Sequence, residues 1–105
     1  MIDIILDVNI PKKVKRITQH QKVLHIGDIN TSMDDADILH ILSKFNCLLV
    51  TRDRELAYLA SKRHRSLFIK QPLNADEIAL CIEKNKSLLK TASIFCENGR
   101  KCKNC

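Results

Sequence analysis

Hydrophobic positions along this chain switch repeatedly between short continuous runs and helical spacing. Ile2–Leu6 reads as a short apolar strand with Asp7 at its end. Pro11 opens a helix extending to about His20, because its missing N–H falls where a first helical turn leaves that group unpaired anyway. Val23–Ile26 predicts a second strand, closed by Gly27-Asp28. Ser32, with Asp35 three residues on, predicts a helix start, and Ile38, Leu39, Leu42 and Phe45 form one stripe of a helix from about Met33 to Phe45. Cys47–Thr51 is the most hydrophobic strand. A helix follows over about Arg54–Arg63, with Leu56, Leu59 and Ala60 inward, and Ser66–Lys70 reads as the last strand. Asn74, with Glu77 placed to reach back, predicts a capped helix ending near Lys90.

Strands alternating with helices predict an α/β fold, three layers deep (α/β/α), around a short, mostly parallel four-stranded sheet. The expected division is one domain over residues 1–90 and a C-terminal tail over 91–105. In such sheets ligands bind beyond the carboxyl ends of the strands.

Composition narrows the function classes. In 105 residues, 45% hydrophobic and 29% charged is the mix of a soluble globular domain. Apolar runs are short, such as Cys47–Val50, against the roughly 18 residues that a bilayer span needs. Met1-Ile2-Asp3 shows no basic region of a secretory signal, and five cysteines without one predict a reducing, cytoplasmic setting. Four aromatic residues (Phe45, Tyr58, Phe68 and Phe95) are too few for a base-stacking platform. The net charge of +6 is concentrated at the end, where residues 84–105 carry six Lys and Arg against the single acid Glu97. A basic tail keeps a protein soluble and also attracts a polyanion such as RNA.

The candidate chemistry lies in carboxylates. Asp7, Asp28 and Asp53 follow the first, second and third strands, which share one sheet edge. Asp35 precedes Ile38, Leu39 and Leu42 by three, four and seven residues, so it sits on the core side of its helix, toward the strand ends. Asp34 and Asp37 read as helix-dipole partners, and Asp28 as a turn residue. Carboxylates gathered at one point repel unless a cation neutralises them, and hard oxygen donors suit Mg²⁺ or Mn²⁺. Such metals activate water against phosphodiesters. Lys12, Lys13, Lys15, Arg16, Arg52 and Arg54 lie near the same edge, either to grip phosphates or as a solvated face. Cys47 and Cys81 read as core residues. His20, His25, His40 and His64 lack ligand spacing and read as surface or interface residues.

Three segments resemble a known family. Leu6-Asp7-Val8-Asn9-Ile10-Pro11 resembles the Asp-x-Asn-Leu-Pro start of small PIN-like proteins, and Asp35-Ala36-Asp37-Ile38 is similar to the Asp-x-x-Ile helix start of PIN domains. Thr51-Arg52-Asp53-Arg54-Glu55-Leu56 is similar to the Thr-Arg-Asp-Arg-Glu-Leu segment of the Mut-seven C-terminal RNase domain. The resemblance spans about residues 2–70. It implies a metal-dependent ribonuclease whose Mg²⁺ or Mn²⁺ sits on the catalytic acids Asp7, Asp35 and Asp53, with Glu55 as an outer ligand. Asn9 would position metal or substrate, with Lys12, Arg52 and Arg54 near the RNA. It also implies a toxin paired with an antitoxin protein, and a homodimer. The second acid that full-size PIN domains place in an early helix is missing over Lys12–Ile17. The alternative is a catalytically degenerate module that binds RNA or a protein partner. Cys96, Cys102 and Cys105 resemble half of the zinc ribbon in the Mut-seven relatives, with no evident fourth ligand. A phospho-acceptor receiver domain is a rival, since Asp7, Asp53 and Lys70-Gln71-Pro72 echo its pattern, but receivers have five strands and a paired acid after the first.

Overall fold

The computed structural model describes residues 2–18, 22–69, 74–84 and 95–97. Its strands are β1 (Ile4–Leu6), β2 (Val23–His25), β3 (Leu48–Thr51), β4 (Arg65–Phe68) and β5 (Phe95–Glu97), and its helices are α1 (Lys13–Ile17), α2 (Asp35–Phe45), α3 (Arg54–Ser61) and α4 (Ala75–Lys84). The strands form one sheet in the order β2-β1-β3-β4-β5, every neighbouring pair parallel. The α/β architecture is therefore as the hydrophobic pattern predicts. The sheet has one strand more than expected: Phe95–Glu97 lies in the segment read as tail, and pairs with Ser66–Phe68. Strand number therefore does not separate this fold from the receiver-like rival.

Period-two alternation in the strands divides the core into two clusters. Ile4 and Leu6 of β1, Leu48 and Val50 of β3 and Leu67 of β4 face one side, where Val14 of α1 and Ile78, Cys81 and Ile82 of α4 cover them. Ile5 and Leu49 face the other side, under Ile38 and Leu42 of α2 and Leu56 and Ala60 of α3. This gives three layers, α1 and α4 on one face and α2 and α3 on the other. Among the described residues no helix is long and apolar enough to cross a membrane.

The helix ends differ in detail from expectation. Ser32 does not cap α2; Asp34 does, accepting the Asp37 N–H at 2.9 Å, so the helix starts at Asp35. Asp34 offers a carboxylate to the helix dipole and Ser32 only a hydroxyl. At the other end Asn46 adopts φ 47°, the left-handed conformation that asparagine tolerates. Arg65, expected before the fourth strand, belongs to β4 and is buried. Its guanidinium donates to the Asn46 carbonyl and, at 3.3 Å, to Asn46 Oδ1, which ties β4 to the end of α2. The box at α4 forms as read: Asn74 N–H donates to Glu77 Oε1 at 3.0 Å and Glu77 N–H to Asn74 Oδ1 at 2.8 Å. The first helix closes at Ile17 with Thr18 as its C-cap, short of the predicted His20. The Lys70-Gln71-Pro72 segment, the end of the last helix near Lys90 and the thiols Cys102 and Cys105 lie outside the described residues.

Candidate functional site

With this strand order, the chain crosses from one face to the other between β1 and β3. The crevice at that switch point, beyond the strand carboxyl ends, is where doubly wound sheets bind ligands. Asp7 leaves β1 there, and Thr51 ends β3 beside it.

Asp7 is 5% exposed and held on both oxygens. Val8 N–H donates to Oδ1 at 2.7 Å, and the Thr51 hydroxyl donates to Oδ2 at 2.5 Å. The same hydroxyl accepts the Asp53 N–H at 2.9 Å. Thr51 therefore links the carboxylate of one strand end to the backbone of the next loop. Its role was hidden in the sequence, where it reads only as the β-branched end of an apolar strand. The single available signal was its place in the Thr-Arg-Asp segment.

Asp53 is the N-cap of α3, its Oδ1 accepting the Leu56 N–H at 3.1 Å. Asp35 opens α2 from the neighbouring position on the same face. Partial burial pushes the Asp35 carboxyl above its ordinary value, and the charges of Asp53, Asp7, Glu55 and Asp34 push it further in the same direction. The four acids marked in the sequence, Asp7, Asp35, Asp53 and Glu55, thus share one electrostatic neighbourhood. Among the described residues, however, no three His, Cys, Asp or Glu side chains are grouped as a metal site. The donors suit Mg²⁺ or Mn²⁺ in kind, being hard, repelling carboxylates.

Asn9 sits on the exposed turn after Asp7, and its Oδ1 accepts the Arg52 N–H at 3.1 Å, joining the β1 and β3 loops. Arg52 is half-buried beside it, while Arg54 and Glu55 are exposed in the first turn of α3.

Asp28 does not join the acids. Lys12 and Lys15 each hold it at 3.1 Å, and hydrogen bonds from Lys15 and then Lys12 keep its carboxyl below the ordinary value. Lys12 is thereby directed to Asp28 as well. His25 corrects the surface reading of the histidines: it is buried, with Nδ1 accepting the Gly27 N–H at 2.9 Å. The ring proton is therefore on Nε2, which donates to the Ile10 carbonyl at 2.6 Å and clamps the loop carrying Asn9. A Cβ at Gly27 would stand 3.0 Å from the His25 ring, so glycine lets the backbone come this close.

No family model, curated protein or solved structure matches the chain.

Proposed function

We propose that this protein is a divalent-cation-dependent endoribonuclease of PIN-like type, with Asp7, Asp35 and Asp53 as its catalytic acids and cation ligands. The observation that carries this reading is the Thr51 hydroxyl, which joins the Asp7 carboxylate to the Asp53 backbone at 2.5 and 2.9 Å, with Asp35 near enough to feel the charges of Asp53 and Asp7. The three ordered motifs support it from the sequence side. Mg²⁺ or Mn²⁺, when bound, would lower the pKa of a water and neutralise phosphate charge. The chain's own part is to hold and orient. Thr51 and the Val8 N–H fix Asp7, the α3 cap fixes Asp53, and the Asn9–Arg52 contact ties the two loops at the crevice mouth. Arg52 and Arg54 supply positive charge for the scissile phosphate. Under this reading the protein is a toxin that pairs with an antitoxin protein and forms a homodimer.

The test is RNA cleavage with Mn²⁺ or Mg²⁺, wild type beside Asp53→Asn. Asparagine caps a helix as well as aspartate does, so circular dichroism should show the variant folded. Cleavage should fall by roughly 100-fold or more, the scale at which removing one positioned charge-stabilising group acts. Equal cleavage by both proteins sinks the assignment. One observation favours a second reading: α1, with the sequence Lys13-Val14-Lys15-Arg16-Ile17, carries no acid where full-size PIN domains place their second one. A wild type that binds RNA or a protein partner but cleaves nothing supports that degenerate binding module.

A further inference from the structure

The outer face of the α2–α3 layer carries a groove of about 480 Å³. It begins at Ala36, one residue after Asp35, and follows α2 to Ser43, about 10 Å at 1.5 Å per residue. Leu39 and Leu59 supply apolar surface to it, and His40 lines it from α2. At its far end, Lys62, Arg63 and His64 leave α3 together. Lys62 Nζ stands 5.3 Å from the Tyr58 ring centroid, a cation–π contact that orients the ammonium. No acidic side chain lines this groove among the described residues. Partial burial, and then the charges of Arg63 and Arg65, hold the His64 pKa below its ordinary value, so the positive charge of this end is carried by Lys62 and Arg63.

The geometry points to this groove as the path of the substrate strand: Lys62 and Arg63 hold phosphates of single-stranded RNA on one side of the bond cut at Asp7, Asp35 and Asp53. The inference rests on the ribonuclease reading, and it adds the strand's direction, away from the acids along α2. Charge decides the occupant. The two strand-end acids Asp7 and Asp53 and the acid Asp35 repel a polyanion, while a cationic end one groove-length away draws it in. The apolar middle accommodates sugar and base faces without hydrogen-bond readout, so binding depends little on sequence.

The test separates binding from cleavage. Binding of a labelled single-stranded RNA is measured on the Asp53→Asn background across a salt series. Lys62→Gln/Arg63→Gln should raise the Kd roughly tenfold, and the slope of log K against log salt should fall by about 1.4, or 0.7 for each lost phosphate contact. The control Lys22→Ala/Lys44→Ala removes two exposed charges that line neither the groove nor the acid-bearing edge and should change both by less. In protein with Asp53 intact, the groove variant should raise KM and leave kcat unchanged. Unchanged Kd and slope overturn the groove while leaving the nuclease reading intact. So does displacement of the RNA, equally well, by an acidic peptide of the same charge. A wild type that cleaves nothing but loses RNA binding in the groove variant keeps the groove and removes the nuclease.

Discussion

At the scale of single residues, the crevice depends on one hydroxyl. Thr51 donates to a nearly buried carboxylate and accepts from the backbone of the following loop. Thr51→Val keeps the shape and deletes both hydrogen bonds, leaving Asp7 Oδ2 without its donor. The expected cost is about 1–3 kcal/mol in urea denaturation, while Thr51→Ser retains the hydroxyl and costs less. Asp35 predicts a pH dependence of opposite sign to an ordinary paired acid. Its folded pKa lies above the model-compound 3.8, so the folded state holds that proton more tightly than the unfolded chain does. Stability is therefore lost as pH rises from 3.8 through the raised value. Asp35→Asn should melt higher than wild type at neutral pH, by an amount worth a few tenths of a kcal/mol to about 1 kcal/mol for this part-exposed group. The difference should vanish in acid below 3.8. Mn²⁺ should raise the melting temperature of the wild type more than that of Asp35→Asn, because a ligand that binds only the folded state stabilises it. Equal shifts would remove Asp35 from the cation site.

At the scale of elements, the helices on the α2–α3 face begin with acids that serve as structure and as candidate chemistry. Asp34 and Asp53 are both N-caps, yet only Asp53 sits at the switch point. Asp34→Ala should cost about 1 kcal/mol by thermal denaturation, whereas Ser32→Ala should be nearly neutral. The Asn74–Glu77 box was legible in the sequence because both of its hydrogen bonds close within three residues. The α2 start was misread by two residues for a related reason. Ser32 and Asp34 both suit a cap, and the choice between them depends on where Ile38 and Leu42 must point to reach Ile5 and Leu49.

At the scale of the whole molecule, β5 changes the meaning of the C-terminal segment. A detachable basic tail would leave stability unchanged on removal. A chain ending at Lys90 should instead lose the pairing of Ser66–Phe68 with Phe95–Glu97, at about 1 kcal/mol for each backbone hydrogen bond. Urea denaturation of the two lengths decides between these. Removal would also leave β4 as an open edge, so the shorter chain should aggregate more readily.

The sequence by itself determined the alternation of strands and helices, the parallel sheet, the two-sided core and the placement of Asp7, Asp35 and Asp53 at element ends. Each of these follows from periodicity and capping within a few residues of chain. Only the tertiary structure decided which neighbours those side chains meet. Thr51 reaches Asp7 across 44 residues, His25 reaches Ile10 across 15, and Lys15 takes Asp28 across 13. The fifth strand belongs with these, because a three-residue edge strand has almost no local signal and forms through its partner. Periodicity is a property of nearest neighbours along the chain, whereas the pairing of charges and hydroxyls depends on distances that exist only once the sheet has closed.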